Sequence, residues 1–387
     1  MENEGLSQNL VFEELKSRLR NDFAYDSGRV IGSMCTCPHP LARKTFTCFL
    51  DRNLGDSGLF PAMVELEKET ISMLGRLLSN PKASGHIVTG GTEANALALW
   101  VARKLSRKKN CEVIVPASAH YSFDKAGDLL GLKIVKVGLN RRFQVDTETL
   151  RKRVNSNTVA IVGIAGTTGL GVVDPISELS EIATENDLYL HVDAAFGGFV
   201  LPFLKEMGFS VPDFDFSLRG VCSITIDPHK MGLAPIPAGG ILFRNGKLRE
   251  TIAWNVSYMA GGETEQATLV GTRSGASVIA VWSLLKHLGK EGYKKIVSQC
   301  MRLTWKLAKE IQEIKGLDII TEPTMNIVGI KSKAFRIGQI AKELRLRKWS
   351  VSLFPNHIRI VVMPHVQKEH IERFLFDLKD IAHRLGG

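Results

Sequence analysis

What this 387-residue chain lacks narrows its class before any motif is read. It has no run of 18 apolar residues, so no membrane-spanning helix is expected. The opening "MENEGLSQNL" is acidic and polar, without the apolar stretch of a secretion signal. Cysteine is scarce: six residues at irregular spacing form no disulfide framework and point to a reducing cytoplasm. Cys35 and Cys37 lie close together, with His39 and His86 elsewhere, but no second close pair completes a metal pattern. No metal is therefore expected. The nucleotide-binding pattern G-x-x-x-x-G-K-[ST] is absent. Aromatic residues make up 7% of the chain and are not interleaved with its basic runs, "RKLSRKK" (103–109), "NRRF" (140–143), "RKR" (151–153) and "RLRK" (345–348). Those runs read as solvated faces and turns, so the net charge of +10 implies attraction for an anionic cofactor or substrate rather than for nucleic acid.

What is present is a long alternation. "EVIVPASAH", "LKIVKVG", "TVAIVGIAGTT", "LYLHVDAA" and "CSITIDPHK" are short β-branched runs ending in Gly, Pro or small residues, with helical patterns such as "PISELSEIATEND" between some of them. Continuous apolar strands separated by helices predict an α/β protein with a parallel sheet covered on both faces, and ligands there gather at the carboxyl ends of the strands. Residues 1–45 read as an N-terminal arm opening on an amphipathic helix at about 9–22, and residues 46–270 as the large domain. Residues 271–387 read as a small α+β domain that begins with one long helical stretch. It ends in a helix whose Ile371, Phe374, Leu375, Leu378, Ile381, Ala382 and Leu385 repeat at a 3.6-residue period.

The informative polar residues fall at predicted strand ends. In "TGGTEANALALW" (89–100), two glycines and Thr92 precede a helical pattern. That is either a phosphate cradle at a helix N-terminus or a plain threonine cap. "HVDAAFGGF" (191–199) sets Asp193 at a strand end, where a buried carboxylate needs a cationic or hydrogen-bonding partner. "SITIDPHKMG" (223–232) does the same for Lys230, and "VIVPASAH" (113–120) for His120. Together these residues fit one ligand, a phosphorylated aromatic aldehyde. The glycine–threonine turn takes the phosphate, the lysine amine the aldehyde, the imidazole stacks on the ring, and the carboxylate keeps the ring nitrogen protonated. Pyridoxal 5′-phosphate is that ligand.

"HVDAAFGG", "DPHKMG", "SGHIVTGGTEAN" and "GIAGTT" closely resemble the group II pyridoxal-phosphate-dependent amino-acid decarboxylases over nearly the whole chain. Through "NLGDSGLF", "SITIDPHKMG" and "IRIVVMPH" the chain looks most like their short archaeal members, which act on L-tyrosine and L-aspartate. The resemblance implies the fold-type I architecture: an arm, a large domain with a mostly parallel seven-stranded sheet, a small C-terminal domain, and an obligate homodimer with active sites at the interface. It implies decarboxylation of tyrosine to tyramine (for methanofuran synthesis) or of aspartate to β-alanine (for coenzyme A synthesis). Glutamate decarboxylation, or carbon–carbon cleavage of the sphingosine-phosphate lyase type, are the alternatives. Carried over residue by residue, Lys230 bonds the cofactor aldehyde and Asp193 partners the ring nitrogen. Ala195 packs under the ring opposite His120, while Gly91, Thr92 and His229 bind phosphate and Thr168 lies near the 3′-oxygen. Tyr258, in the glycine-hinged "NVSYMAGG" (255–262), resembles the loop tyrosine that protonates Cα. Arg359, set among strand apolars, is the candidate grip for a substrate carboxylate. Thr272, in "GTRSG" (271–275), is the candidate to close the phosphate site across the dimer. Asp227, anionic beside a phosphate site, is expected to turn away from it.

Overall fold

The computed structural model describes residues 4–386. Seven strands form the central sheet: β1 (Ser84–Val88), β2 (Glu112–Pro116), β3 (Lys133–Val137), β4 (Thr158–Ile164), β5 (Tyr189–Asp193), β6 (Val221–Ile226) and β7 (Gly239–Phe243). Their order is β1-β7-β6-β5-β4-β2-β3. Only β7 runs against its neighbours, so six carboxyl ends open on one edge. The seven-stranded, mostly parallel sheet expected from the sequence is present.

The strand sequences explain why both faces are covered. Successive side chains alternate between faces. Val113 and Val115 pack with Ala160, Val162 and the helix Gly91–Leu105 on one side, while Ile114 and Ile161 pack with Ile71, Leu74 and Ile176 on the other. Apolar residues at both parities leave no face for water, which is the signature of a doubly covered parallel sheet.

A two-stranded hairpin follows, β8 (Trp254–Val256) with β9 (Thr264–Gln266). Next comes the long helix Gly275–Gln312, which is not continuous: Gly289 adopts φ 54° and ψ −167° and breaks it. The sequence predicts one uninterrupted helix there; the left-handed φ, open to glycine without a Cβ clash, is the reason it is two. The segment before the break packs on the large core, and Leu307, Ala308 and Ile311 near its end enter the small one. The small domain holds an antiparallel sheet of order β10-β11-β13-β12, made of β10 (Leu317–Ile319), β11 (Ile327–Ser332), β12 (Ser352–Leu353) and β13 (Ile358–Val361). The last helix, Lys368–Gly386, buries Ile371, Phe374, Leu375, Leu378, Ile381 and Ala382 as its period predicts; Leu385, near the end, is exposed.

The N-terminal helix spans Gln8–Leu19 and buries no residue. Beyond it the arm is tied to the small domain: Ile31 N–H donates to Ser350 O (3.2 Å) and Val361 N–H to Ile31 O (2.7 Å). No described helix is long and apolar enough to cross a membrane.

Candidate active site

The carboxyl ends of β1, β2, β4, β5 and β6 converge on one crevice of about 300 Å³, into which Thr89, Gly91, Thr92, His120, Thr168, Asp193, Ala195, His229 and Lys230 all face. Their positions follow from strand geometry: Asp193 is the last residue of β5, and Lys230 lies four residues past β6.

The phosphate-sized end is built from glycine. Gly90 is the N-cap of the helix Gly91–Leu105, and no side chain caps it, so Thr92 is a first-turn residue rather than the cap. The first-turn N–H groups are left for an outside acceptor, which an anion satisfies best. A Cβ on Gly91 would lie 2.9 Å from Asp227 Oδ2, and one on Gly90 would lie 3.2 Å from the His229 ring. A Cβ at either position would crowd the cradle. Glu93 fixes the turn from behind, accepting from Thr89 N–H (2.8 Å) and the Thr89 hydroxyl (2.7 Å).

Asp193 is nearly buried and doubly held. Its Oδ1 accepts from Ala195 N–H (3.0 Å) and its Oδ2 from Asn95 Nδ2 (3.0 Å). Asn95 also donates to Ser122 Oγ (2.9 Å), while its Oδ1 accepts from Thr225 Oγ1 (2.7 Å) and faces His191 Nε2 (3.0 Å). His191 Nδ1 pairs with Ser223 Oγ (2.8 Å). Burial presses the His191 imidazole down to about 4, so it stays neutral. The network aims a carboxylate into the crevice and keeps it from rotating. Sequence reasoning missed Asn95 and His191. Two signals carried them: His191 shares the Asp193 face at a spacing of two, and Asn95 is a lone amide in an apolar helix run.

His120 is half-buried, its Nδ1 accepting from Ser122 N–H (3.3 Å). Burial lowers its basicity, partly offset by the Asp193 carboxylate. His229 lines the cradle with its Nδ1 unpartnered.

Lys230 Nζ stands 3.0 Å from Asp227 Oδ2. Burial alone would depress the ammonium, but the Asp227 and Asp193 carboxylates outweigh it and raise it above its ordinary value. This corrects the expectation for Asp227. It does not turn away but lines the crevice, 2% exposed, with Oδ1 unpartnered. The amine three residues on draws it in.

Arg359 lies behind the crevice. Its guanidinium donates to Thr168 O (2.8 Å), Gly32 O (2.6 Å) and Ser352 Oγ (3.0 Å), and Nε has no partner. Among the described residues no carboxylate pairs with it, and burial presses it down to about 10. Met34, from the arm, joins the crevice wall. Tyr258 and Thr272 are not brought in: Tyr258 is 84% exposed on the β8–β9 loop, and Thr272 is exposed beside Gly55.

Glycine cradle, uncapped helix start, strand-end carboxylate and half-buried lysine fit a phosphorylated pyridine aldehyde. The comparisons agree: residues 50–333 match the pyridoxal-dependent decarboxylase conserved domain. The chain belongs to that family, the group II pyridoxal-phosphate decarboxylases. It is 51% identical over 381 residues to the L-aspartate decarboxylase of Thermococcus kodakarensis, covering 98% of this chain and 99% of the relative. It is 50% identical over 362 residues to the probable L-tyrosine/L-aspartate decarboxylase of Methanothermobacter thermautotrophicus, covering 93% and 99%. Among solved structures, the sphingosine-1-phosphate lyase of Burkholderia pseudomallei superposes with TM-score 0.92 at 30% identity, covering 100% of this chain and 92% of the other.

Proposed function

We propose that the protein removes the α-carboxyl group of L-aspartate as CO2, giving β-alanine, with L-tyrosine as a second substrate. The observation that supports this most directly is one crevice holding Lys230, Asp193 and the glycine cradle together, in a chain whose relatives are named for aspartate and for tyrosine and aspartate. The carbon–carbon lyase alternative is not favoured, because relatives at about 50% identity are decarboxylases whereas the lyase matches at 30%.

The roles of the residues follow from where they stand. Gly90, Gly91 and Thr92 would hold the phosphate at the open helix start, with His229 beside it. Asp193 would keep a proton on the ring nitrogen, and its two donors fix the carboxylate for that task. Ala195 and His120, which line the same crevice, would contact the ring. Lys230 Nζ is the amine that would bond the aldehyde. When bound, pyridoxal phosphate supplies the electron sink that accepts the pair left behind as CO2 departs. Arg359, a buried cation without a carboxylate partner among the described residues, suits the substrate carboxylate, and Met34 lines the same crevice as Lys230.

The protein is further inferred to act as a cytoplasmic homodimer. The helix Gln8–Leu19 leaves Leu10, Phe12, Leu15 and Leu19 all more than 40% exposed, an apolar surface suited to a second copy. All six cysteines are free, as a reducing compartment requires.

The test is CO2 release from L-aspartate, L-tyrosine and L-glutamate by protein reconstituted with pyridoxal phosphate, with chromatographic identification of the amine. Aspartate is expected to be the best substrate and tyrosine to be turned over. Aldehyde or keto-acid products in place of CO2 and amine would overturn the reading.

A further inference from the structure

Asp227 occupies a position that an anion has reason to avoid. It sits in the phosphate-sized end of the crevice, its Oδ2 2.9 Å from where a Cβ on Gly91 would stand and 3.7 Å from His229 Nε2. It is 2% exposed, so water does little to screen it. Its Oδ2 contacts Lys230 Nζ at 3.0 Å, and its Oδ1 has no hydrogen-bond partner among the described residues. A buried carboxylate is kept at such a place by the cation it holds. We propose that Asp227 is the counterion of Lys230 whenever that amine is free, and that the pair restrains cofactor capture. It withholds the lysine lone pair, and its negative charge opposes the incoming phosphate.

The chemistry gives this a direction. Condensation forms a C=N bond from the lone pair of a neutral amine and expels the carbonyl oxygen as water, with two hydrogens the amine carried. An ammonium has no lone pair to offer. The charged or titratable groups facing Nζ are Asp227, Asp193, the Cys35 thiol, His229 and His120. The two carboxylates hold the proton on, and among the described residues only the Asp227 carboxylate lies within ion-pair distance of the nitrogen. Asp193 is committed to Asn95 and Ala195, so it cannot replace Asp227 at Nζ. During turnover the same contact gives the displaced lysine a place to rest as an ammonium, away from the reacting carbon.

The inference rests on the cofactor reading of this crevice, and the experiment separates the two. Apoprotein is mixed with pyridoxal, which has no phosphate, and with pyridoxal phosphate, and the band near about 420 nm is followed. Asp227→Asn keeps the shape and removes the charge. Its condensation with pyridoxal at pH 7 is expected to be about tenfold faster than wild type or more. Its dissociation constant for pyridoxal phosphate is expected to be about tenfold lower, because a like charge has gone from beside the phosphate. In the wild type the pyridoxal rate should still be climbing at about pH 9, and in the variant it should level off earlier. Asp227→Ser gives the same readings if the amide disturbs folding, which circular dichroism reveals. Equal or slower pyridoxal condensation in both variants, or weaker phosphate binding, overturns the restraint. A wild type that forms no band with pyridoxal phosphate overturns the cofactor reading instead.

Discussion

Replacing Asn95 with aspartate keeps the side-chain shape and reverses one interaction. Nδ2, which donates to Asp193 Oδ2 at 3.0 Å, becomes a second carboxylate oxygen at the same distance. Two unit charges that close repel by about 5 kcal/mol at an effective dielectric near 20. Keeping one proton in the pair costs less: holding an ordinary carboxyl protonated at pH 7 costs about 4 kcal/mol, and a shared O–H···O bond offsets about 1. The variant should therefore be less stable than wild type by about 3 kcal/mol at pH 7, with one proton trapped between residues 95 and 193. The sign with pH is fixed. The folded variant binds a proton that the unfolded chain has released, so its deficit grows as pH rises and shrinks by about 1.4 kcal/mol per unit on acidification. Urea midpoints of the apoproteins at pH 7 and pH 5, at one protein concentration, measure this. The trapped proton also removes the charge that the ring nitrogen needs, so kcat should fall about 100-fold or more at saturating cofactor. A deficit that does not change with pH, or a variant within about 1 kcal/mol of wild type at pH 7, would refute the assignment of Asn95 as the donor that holds and aims Asp193.

Asp193→Asn should still develop the cofactor absorption band yet lose most of kcat; a retained kcat removes Asp193 from the mechanism. His191 gives the fold an acid limb. Its folded value of about 4 lies below the ordinary 6.5, so the unfolded chain takes up a proton that the native state refuses, and stability drops by about 3 kcal/mol between pH 6.5 and 4. His191→Gln should flatten that limb in urea titrations. Tyr258→Phe should cut the rate of amine formation. If the loop serves the partner's crevice, an equal mixture of Lys230→Ala and Tyr258→Phe chains should recover about one quarter of wild-type activity, half the dimers having one intact site of two; recovery no greater than the mean of the parents excludes that arrangement.

The sheet was legible because burial on both faces writes itself into composition: β2 and β4 carry apolar residues at odd and even positions alike and stop at small residues. Lys230, Asp193 and His120 were legible for the same reason, since a polar group at the carboxyl end of such a strand can face only the crevice, whereas Thr168 was named only through the family resemblance. Other features were not, beyond the Asn95 and His191 already named. The sequence sets Asp227 beside a phosphate site, but a carboxylate three residues before a lysine, across a tight turn, closes on the amine first. Gly289 lies in a pattern whose apolar residues continue on both sides, and periodicity does not register one residue at positive φ. Tyr258 and Thr272 differ in kind. The β8–β9 loop is anchored at its base, Gly261 N–H donating to Asp56 Oδ2 (3.3 Å), yet Tyr258 projects outward. One chain's hydrophobic pattern encodes what that chain buries. A side chain whose environment is supplied by a second copy leaves in its own sequence only an exposed aromatic beside two glycines, and that trace is the same whether the tyrosine reaches a neighbouring crevice or simply faces water.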